Sequence, residues 1–288
     1  MTATGVVGAL ELGGTHVTAG RVQLASATVE PETRVRLEFT GGDAILERIL
    51  EAAESVATPE TRRFGVAAPG PFDYDAGVNL VTHKLPGLYG IDLRRELATA
   101  LGLAGEAVSF LNDAEAFLLG EWWAGAARGH ARALGITLGT GLGSAFLEEG
   151  RFVRSGPCVP ADGALWTLAF RGRPVEETIS SRALLHRYGE RDGGTDVEQI
   201  AARARAGDAG ARCAFEDLAA DLAEFLAAPI AAFGPSCLVV GGSITRAWDL
   251  LSATLLQKLA AYRSLVVARA ANIDDAPLLG AASYAGRR

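Results

Sequence analysis

Three glycine-bearing turns are the segments of this sequence best suited to binding phosphate. They read Gly13-Gly14-Thr15, Gly139-Thr140-Gly141 and Gly241-Gly242-Ser243, and each follows an apolar run typical of a strand. Glycine lets backbone N–H groups approach phosphate oxygens, and a threonine hydroxyl adds a donor. One such turn alone is equally typical of a tight hairpin with no ligand. Three at strand ends favour a nucleotide site, although none matches the Walker or Rossmann pattern.

A polar pair, Asn112-Asp113, ends an apolar strand segment and opens a helical one. One interpretation is a helix N-cap, for which both residue types are favoured. The other makes Asp113 a general base that accepts the proton of an attacking substrate hydroxyl, while Asn112 binds a neighbouring hydroxyl. A positioned base contributes about a hundred- to ten-thousand-fold to a rate. Alignment and charge stabilisation supply the rest in phosphoryl transfer, so this second interpretation predicts a kinase.

An alternation of strand and helix patterns predicts an α/β protein that positions these residues. The predicted strands lie at 5–12, 15–23, 63–68, 107–111, 133–138, 144–147 and 237–240. The predicted helices lie at 43–57, 93–101, 114–126, 178–188, 197–206 and 209–233. An apolar strand, a Gly-Thr turn and a return strand occur twice, far apart in the chain, which predicts duplicated halves with a cleft between them.

Composition limits the class of protein. The net charge is −7, the pI is near 5.2, and no run of like charges is present, so nothing attracts nucleic acid or an anionic membrane. No segment offers the roughly 18 uninterrupted apolar residues of a spanning helix. The three cysteines stand far apart, outside metal-ligand spacing. We therefore expect a cytoplasmic protein with a small-molecule substrate, without a nucleic-acid or membrane partner.

The order and spacing of eight motifs resemble the repressor, open reading frame, kinase (ROK) sugar kinases, which belong to the actin and hexokinase-like ATPase superfamily. The resemblance covers almost the whole chain. The motifs are ELGGT from Glu11, APGP from Ala68, KLPG from Lys84, NDAEAFLLGE from Asn112, LGTGLGSAF from Leu138, VEETIS from Val175, VVGGS from Val239 and LLGAAS from Leu278.

The resemblance implies a two-lobed fold in which each lobe is built on a ribonuclease H-like βββαβα core, with the active site in the cleft between the lobes. On this basis we expect a small lobe over residues 1–112 and a larger lobe over residues 113–288. The C-terminal helix is expected to return to the small lobe. The resemblance also favours a homodimer.

The roles of individual residues follow from the same resemblance. The transferred phosphate of ATP would be held by Gly13, Gly14 and Thr15. The remaining phosphates and the nucleoside would lie beside Gly139, Thr140, Gly141, Gly241 and Gly242. Mg²⁺ would bridge the phosphates. The substrate would be held by Asn112, Asp113, Gly70 and Glu176.

Two departures from the family pattern affect the metal and the substrate. Glu11 stands where relatives commonly carry aspartate, so it is a candidate for an indirect Mg²⁺ contact. Relatives also carry Glu-x-Gly-His and then a cysteine-rich zinc loop, whereas this chain reads Ala161-Asp162-Gly163-Ala164 and continues without Cys or His to Pro174. We predict no structural zinc site, because the sulfur ligands are missing.

The second departure also predicts a changed substrate. A corner lined by Ala161 and Ala164 lacks the side chains that bind a sugar hydroxyl, and such a loss alters discrimination strongly. The favoured hypothesis is a C7-cyclitol of the valiolone type. A ROK-type glucokinase or fructokinase is the alternative, in which Asp162 shifts and replaces the missing glutamate.

Two further alternatives belong to other classes of protein. Regulators in this family carry an N-terminal helix-turn-helix, and the first predicted strand here begins within about ten residues of Met1, which disfavours DNA reading. A non-catalytic sugar-binding protein is disfavoured because Asp113 is retained.

Overall fold

A computed structural model describes residues 5–37, 41–82, 86–189 and 194–288. Lys84 and Leu85 of the KLPG motif lie outside the described residues, as does His83, which precedes the motif. The chain divides into two compact units: Met1–Arg128 with Asp274–Arg288, and Gly129–Ile273. Among the described residues, no helix combines the length and apolar character needed to cross a bilayer.

The first unit is built on a five-stranded sheet. Its described strands are β1 Val6–Leu12, β2 His16–Gln23, β3 Thr28–Arg36, β4 Phe64–Ala68, β5 Phe72–Asp73, β6 Val78–Asn79 and β7 Val108–Asn112. Its helices before residue 129 are α1 Gly42–Val56, α2 Leu93–Leu101 and α3 Asp113–Ala124. The sheet order is β3-β2-β1-β4-β7, in which β3, β2 and β1 are antiparallel and β1, β4 and β7 are parallel.

The second unit repeats this topology. Its described strands are β8 Arg132–Leu138, β9 Leu142–Glu148, β10 Arg151–Phe152, β11 Ala169–Phe170, β12 Arg173–Pro174, β13 Cys237–Gly241 and β14 Val266–Arg269. Its helices are α4 Ser181–Tyr188, α5 Val197–Arg205, α6 Ala209–Phe233 and α7 Trp248–Leu259. The main sheet has the order β10-β9-β8-β13-β14, again with an antiparallel hairpin followed by parallel strands. The duplication expected from the sequence is therefore present in the sheets.

The chain then returns to the first unit as α8, Ala276–Arg287. This helix covers one face of the first sheet, and α1 covers the other. On β1, Leu10 packs with the core that contains α1, whereas Val7 and Ala9 pack with α8. A strand that is buried on both faces reads as a continuous apolar run rather than an alternating one, which explains the sequence of β1.

Helix α3 lies in the first unit, so the structure divides the chain after Arg128 rather than after Asn112. The physical reason is the crossing of α3 and α8. A Cβ at Gly280 would lie 1.8 Å from the carbonyl oxygen of Ala116, and one at Gly120 would lie 2.0 Å from that of Ala276. The two helix backbones approach closely because both positions lack a side chain, and this contact joins α3 to the C-terminal helix.

The predicted elements agree with the structure to within a few residues at most boundaries. The prediction missed β3, α7 and β14 and the two-residue strands β5, β6, β10, β11 and β12. It placed α8 only through the family resemblance.

Candidate active site

The first unit brings three polar segments to one edge of its sheet. Strands β1, β4 and β7 are parallel neighbours, and the register pairs Glu11 with Ala67 and Ala68 with Asn112. Parallel strands end at the same edge of a sheet, which is where open α/β sheets bind ligands. The Gly13 turn, Gly70 and the Asn112-Asp113 pair therefore lie along one edge.

Asn112 is the N-cap of α3. Its Oδ1 accepts hydrogen bonds from the backbone N–H of Ala114 at 3.0 Å and of Glu115 at 3.4 Å. The capping interpretation is thus correct for Asn112, and its carbonyl group is used within the protein. The Nδ2 group donates to the hydroxyl oxygen of Tyr74 at 3.1 Å. The amide is held at both ends.

Asp113 begins α3 and is half-buried, with Oδ1 accepting from the N–H of Ala114 at 2.8 Å. Its carboxylate lies close enough to Glu11 to raise the pKa of that group. Burial is the larger cause and the charge of Asp113 the second, while Arg34 acts in the opposite direction; together they raise the pKa of Glu11 to about 7. The negative charge of Asp113 thus adds to the cost of ionising the buried Glu11, and the charge of Arg34 only partly offsets that cost.

A cavity of about 100 Å³ opens beside Glu11. Its lining residues are mostly polar: Glu11, Gly13, Thr15, His16, Thr18 and Arg34. The register places Arg34 opposite Thr18, and Thr18 opposite Glu11, so these three side chains form a row across the sheet. Sequence reasoning missed Arg34 because it missed β3, although the spacing of Val35 and Leu37 is typical of a half-buried strand.

The turn between β1 and β2 is held by its own hydrogen bonds. The N–H of Gly13 donates to the carbonyl oxygen of His16 at 2.8 Å, and Thr15 Oγ1 and His16 Nδ1 are hydrogen-bonded at 2.8 Å. Loss of hydration, with Arg34 as the next cause, lowers the pKa of His16. A Cβ at Gly14 would meet nothing within 4 Å. The backbone at Gly14 is therefore open to a ligand.

In the second unit, the predicted phosphate loop follows β8. The N–H of Gly139 donates to the carbonyl oxygen of Gly141 at 3.0 Å, and Thr140 is exposed. Glu176 is predicted to bind substrate, and its Oε1 accepts a hydrogen bond from the N–H of Leu142 at 2.8 Å. A Cβ at Gly141 would lie 2.3 Å from the same oxygen. Glu176 therefore supports the loop from within the unit.

The third predicted turn, at Gly241 and Gly242, follows β13, the parallel neighbour of β8. A Cβ at Gly242 would lie 2.4 Å from the carbonyl oxygen of Leu138, and φ there is +85°. Glycine is thus required by the packing of the two strand ends, whether or not a nucleotide binds. The Thr245 hydroxyl donates to the carbonyl oxygen of Gly242 at 2.7 Å and fixes this turn.

The segment that replaces the family's Glu-x-Gly-His motif is ordered against β9. Ser144 Oγ donates to the carbonyl oxygen of Gly163 at 2.6 Å and accepts from the N–H of Leu165 at 2.9 Å. Directly before the first of these anchors, Asp162 is exposed and has φ of +56°. The structure thus leaves the Asp162 carboxylate accessible to a ligand of the second unit.

The described residues contain no group of three or more Cys, His, Asp or Glu side chains arranged to hold a metal ion. Glu11 nevertheless offers the hard oxygen ligands that Mg²⁺ prefers, and this ion is commonly bound by one or two carboxylates together with substrate phosphates. The raised pKa of Glu11 fits such a role, because a cation there would neutralise charge that the protein leaves uncompensated. The residues present therefore fit a Mg²⁺–nucleotide complex.

Comparison with known proteins gives a consistent result. The model of the ROK family matches residues 7–288. The chain is 28% identical to a glucokinase of Thermotoga maritima, over 97% of this chain and 96% of that protein. It is 26% identical to a beta-glucoside kinase of Klebsiella pneumoniae, over 96% and 94%. The crystal structure of a ROK hexokinase from Thermus thermophilus superposes with a TM-score of 0.72 at 27% identity, covering 96% of each chain.

Proposed function

The chain belongs to the ROK family, and from this premise we propose that Asp113 is the base of an ATP-dependent phosphoryl transfer to a sugar or sugar-like hydroxyl. The relatives that match nearly its whole length are sugar kinases, and the chain is a sugar kinase with the actin and hexokinase-like ATPase fold. One observation carries the assignment of the base. The Asp113 carboxylate lies close enough to Glu11 to raise the pKa of Glu11, and Glu11 lines the polar cavity together with Gly13 and Thr15.

In the proposed reaction, the acceptor hydroxyl attacks the γ-phosphorus of ATP while its proton passes to Asp113. The bond from the γ-phosphorus to the bridging oxygen breaks, and ADP leaves with that electron pair. Asn112 uses its amide N–H to hold a neighbouring acceptor oxygen. The backbone at Gly14 and the Thr15 hydroxyl face the transferred group, because glycine leaves the approach open.

Glu11 would hold Mg²⁺ on the phosphate side of the same cavity, directly or through water. When bound, the ion supplies positive charge that stabilises the phosphates. Arg34 adds a cationic group to the lining of this cavity. The pair Glu11 and Arg34 therefore sets the local charge that the transferred phosphoryl group meets.

We propose that the second unit holds the rest of the nucleotide. Its Gly139–Gly141 loop presents an exposed Thr140 and a backbone braced by Glu176. Gly241 and Gly242 are assigned to the nucleoside side of this loop. The hydrogen bond from Leu142 to Glu176 holds the loop in one conformation, and a preorganised loop loses less conformational entropy when it binds a nucleotide.

We also propose that the chain forms a homodimer.

The acceptor is proposed to differ from glucose, with a C7-cyclitol of the valiolone type as the candidate. The supporting observation is the Ala161 to Ala164 segment, which offers no side-chain donor or acceptor except Asp162. A glucokinase activity is the competing proposal, favoured by the name of the Thermotoga maritima relative. In that case the exposed Asp162 would supply the missing hydroxyl contact.

A coupled assay of ADP release tests these proposals together. Initial rates would be measured with Mg²⁺-ATP and a panel of glucose, mannose, fructose, N-acetylmannosamine, a β-glucoside and valiolone-type cyclitols. The highest kcat/KM on a cyclitol would support the proposed acceptor, and fast turnover of glucose at low KM would overturn it. Thermal shifts on ligand addition without turnover of any acceptor would instead indicate a binding protein.

A further inference from the structure

A tyrosine hydroxyl touches the acceptor-binding amide, and the motif pattern did not single it out. We propose that Tyr74 is a positioning residue that fixes the Asn112 amide so that one of its N–H groups points to the acceptor. The inference rests on the proposed function, since it assigns a role within the same acceptor site. It concerns residues of the first unit alone.

The hydrogen bonds around Asn112 leave it one orientation. Its Oδ1 is committed to the N-terminus of α3, so the Nδ2 group must point away from that helix end within the amide plane. One N–H of that group donates to Tyr74 Oη at 3.1 Å. An amide nitrogen carries two hydrogens, so a second N–H remains for a ligand. In the part of the chain that the structure describes, no protein acceptor takes it.

Tyr74 is itself held in place. Its hydroxyl donates to the carbonyl oxygen of Ala68 at 3.2 Å, and Ala68 is the register partner of Asn112 in the neighbouring strand. The Tyr74 ring lies 5.2 Å from that of Phe72, which stacks on Phe110 at 5.2 Å. A hydroxyl anchored by a backbone carbonyl and a packed ring is a rigid support for the amide.

Gly70 keeps the space beside this support open. A Cβ there would come within 3.5 Å of Tyr74 Oη and 4.0 Å of Asn112 Nδ2. The distances are ordinary van der Waals contacts, so glycine is not needed to avoid a clash. Its absence of a side chain instead leaves both polar atoms accessible. A ligand oxygen that approaches past Gly70 would meet the remaining N–H of Asn112.

A purely structural tyrosine would make the same bond to Ala68, so the test must separate support of the fold from support of the amide. Tyr74→Phe removes the hydroxyl and keeps the ring. Tyr262→Phe is the matched control, because Tyr262 also donates to a backbone carbonyl, that of Ala227 at 3.0 Å, and it lies in the second unit. Both variants lose one tyrosine-to-carbonyl bond, and only one loses a contact to Asn112.

The experiment is a double-mutant cycle with Asn112→Ser, which retains a good N-cap but is too short to reach Tyr74. The acceptor is the best substrate of the panel above, and D-glucose is used in parallel. We expect Tyr74→Phe to lower acceptor kcat/KM about fivefold, through KM, which corresponds to ~1 kcal/mol. The KM for ATP should change less than about twofold, and Tyr262→Phe should leave both constants unchanged.

In the Asn112→Ser background, Tyr74→Phe should have no further effect on acceptor kcat/KM, because the group it positions is gone. Multiplicative effects of the two substitutions, or unchanged acceptor kinetics in Tyr74→Phe, would overturn the inference while leaving the kinase proposal intact. Absence of turnover by the unsubstituted enzyme on every acceptor would overturn the proposed function, and the role of Tyr74 would fall with it.

Discussion

Removing the charge of Glu11 is expected to stabilise the protein in alkaline solution more than in acid. Its pKa is raised from 4.5 to about 7, first by burial and then by Asp113. At about 1.36 kcal/mol for each pKa unit, this difference opposes the charged form by about 3 kcal/mol. Because Glu11 is partly exposed, solvent screening reduces the contribution to about 1–2 kcal/mol.

The direction of this pH effect on the free energy of unfolding follows from proton linkage. Glu11 binds a proton more tightly in the folded state, so its cost to stability is absent below about pH 4.5, grows as the pH rises toward 7, and is complete above 7. In Glu11→Gln this cost is gone. The free energy of unfolding should therefore exceed that of the parent by about 1–2 kcal/mol near pH 8, and by little near pH 4.5.

Urea unfolding of the metal-free protein at several pH values measures this difference, with EDTA present because a bound cation would stabilise the anionic form. Glu60→Gln is the matched control, since Glu60 is an exposed carboxylate outside the site. An equal effect of Glu11→Gln at both ends of the pH range would refute the reasoning, as would a loss of stability near pH 8. The substitution should also reduce kinase activity, which separates the functional cost of this group from its effect on folding.

The remaining predictions concern packing and charge in each unit. Gly280→Ala should lower the free energy of unfolding by about 2 kcal/mol or more, since its Cβ meets the α3 backbone. Gly14→Ala should change the free energy of unfolding by less than about 0.5 kcal/mol, because its Cβ meets nothing within 4 Å. The same variant should raise the KM for ATP. Asp221→Ala should cost about 3–5 kcal/mol by chemical denaturation, because it leaves the largely buried Arg187 without its ion-pair partner. Asp249→Ala, which breaks an exposed pair with Arg205, should cost less than about 1 kcal/mol, and equal losses in the two aspartate variants would contradict the assignment.

The elements that the sequence predicted best are those with strong local signals. Helix α6 was placed correctly at both ends because Asp208 caps its first turn and Gly234, in the left-handed conformation, ends it. Strand β3 was missed because Pro31 and several charged residues interrupt its apolar alternation. Its pairing with β2, a nonlocal interaction, is what forms it.

The candidate site shows the same division between local and nonlocal information. The Gly13 turn and the Asn112-Asp113 pair were found from their residue types and from their positions at strand ends. Tyr74 was not found, because it belongs to none of the motifs and contacts Asn112 only through the pairing of β4 with β7. The role of Glu176 in bracing the second loop also depends on tertiary contact. The division after Arg128 depends on the helix crossing at Gly280, which sequence spacing does not reveal.

The central claim is that the Asp113 carboxylate accepts the acceptor proton during phosphoryl transfer. The most direct measurement is the steady-state rate of Asp113→Asn with Mg²⁺-ATP and the best acceptor, beside Asp75→Asn as an exposed control in the same unit. We expect kcat to fall by about a hundred- to ten-thousand-fold in Asp113→Asn. Asp75→Asn should leave both kcat and the melting temperature unchanged. A kcat within about threefold of the parent in a folded Asp113→Asn variant would contradict the central claim.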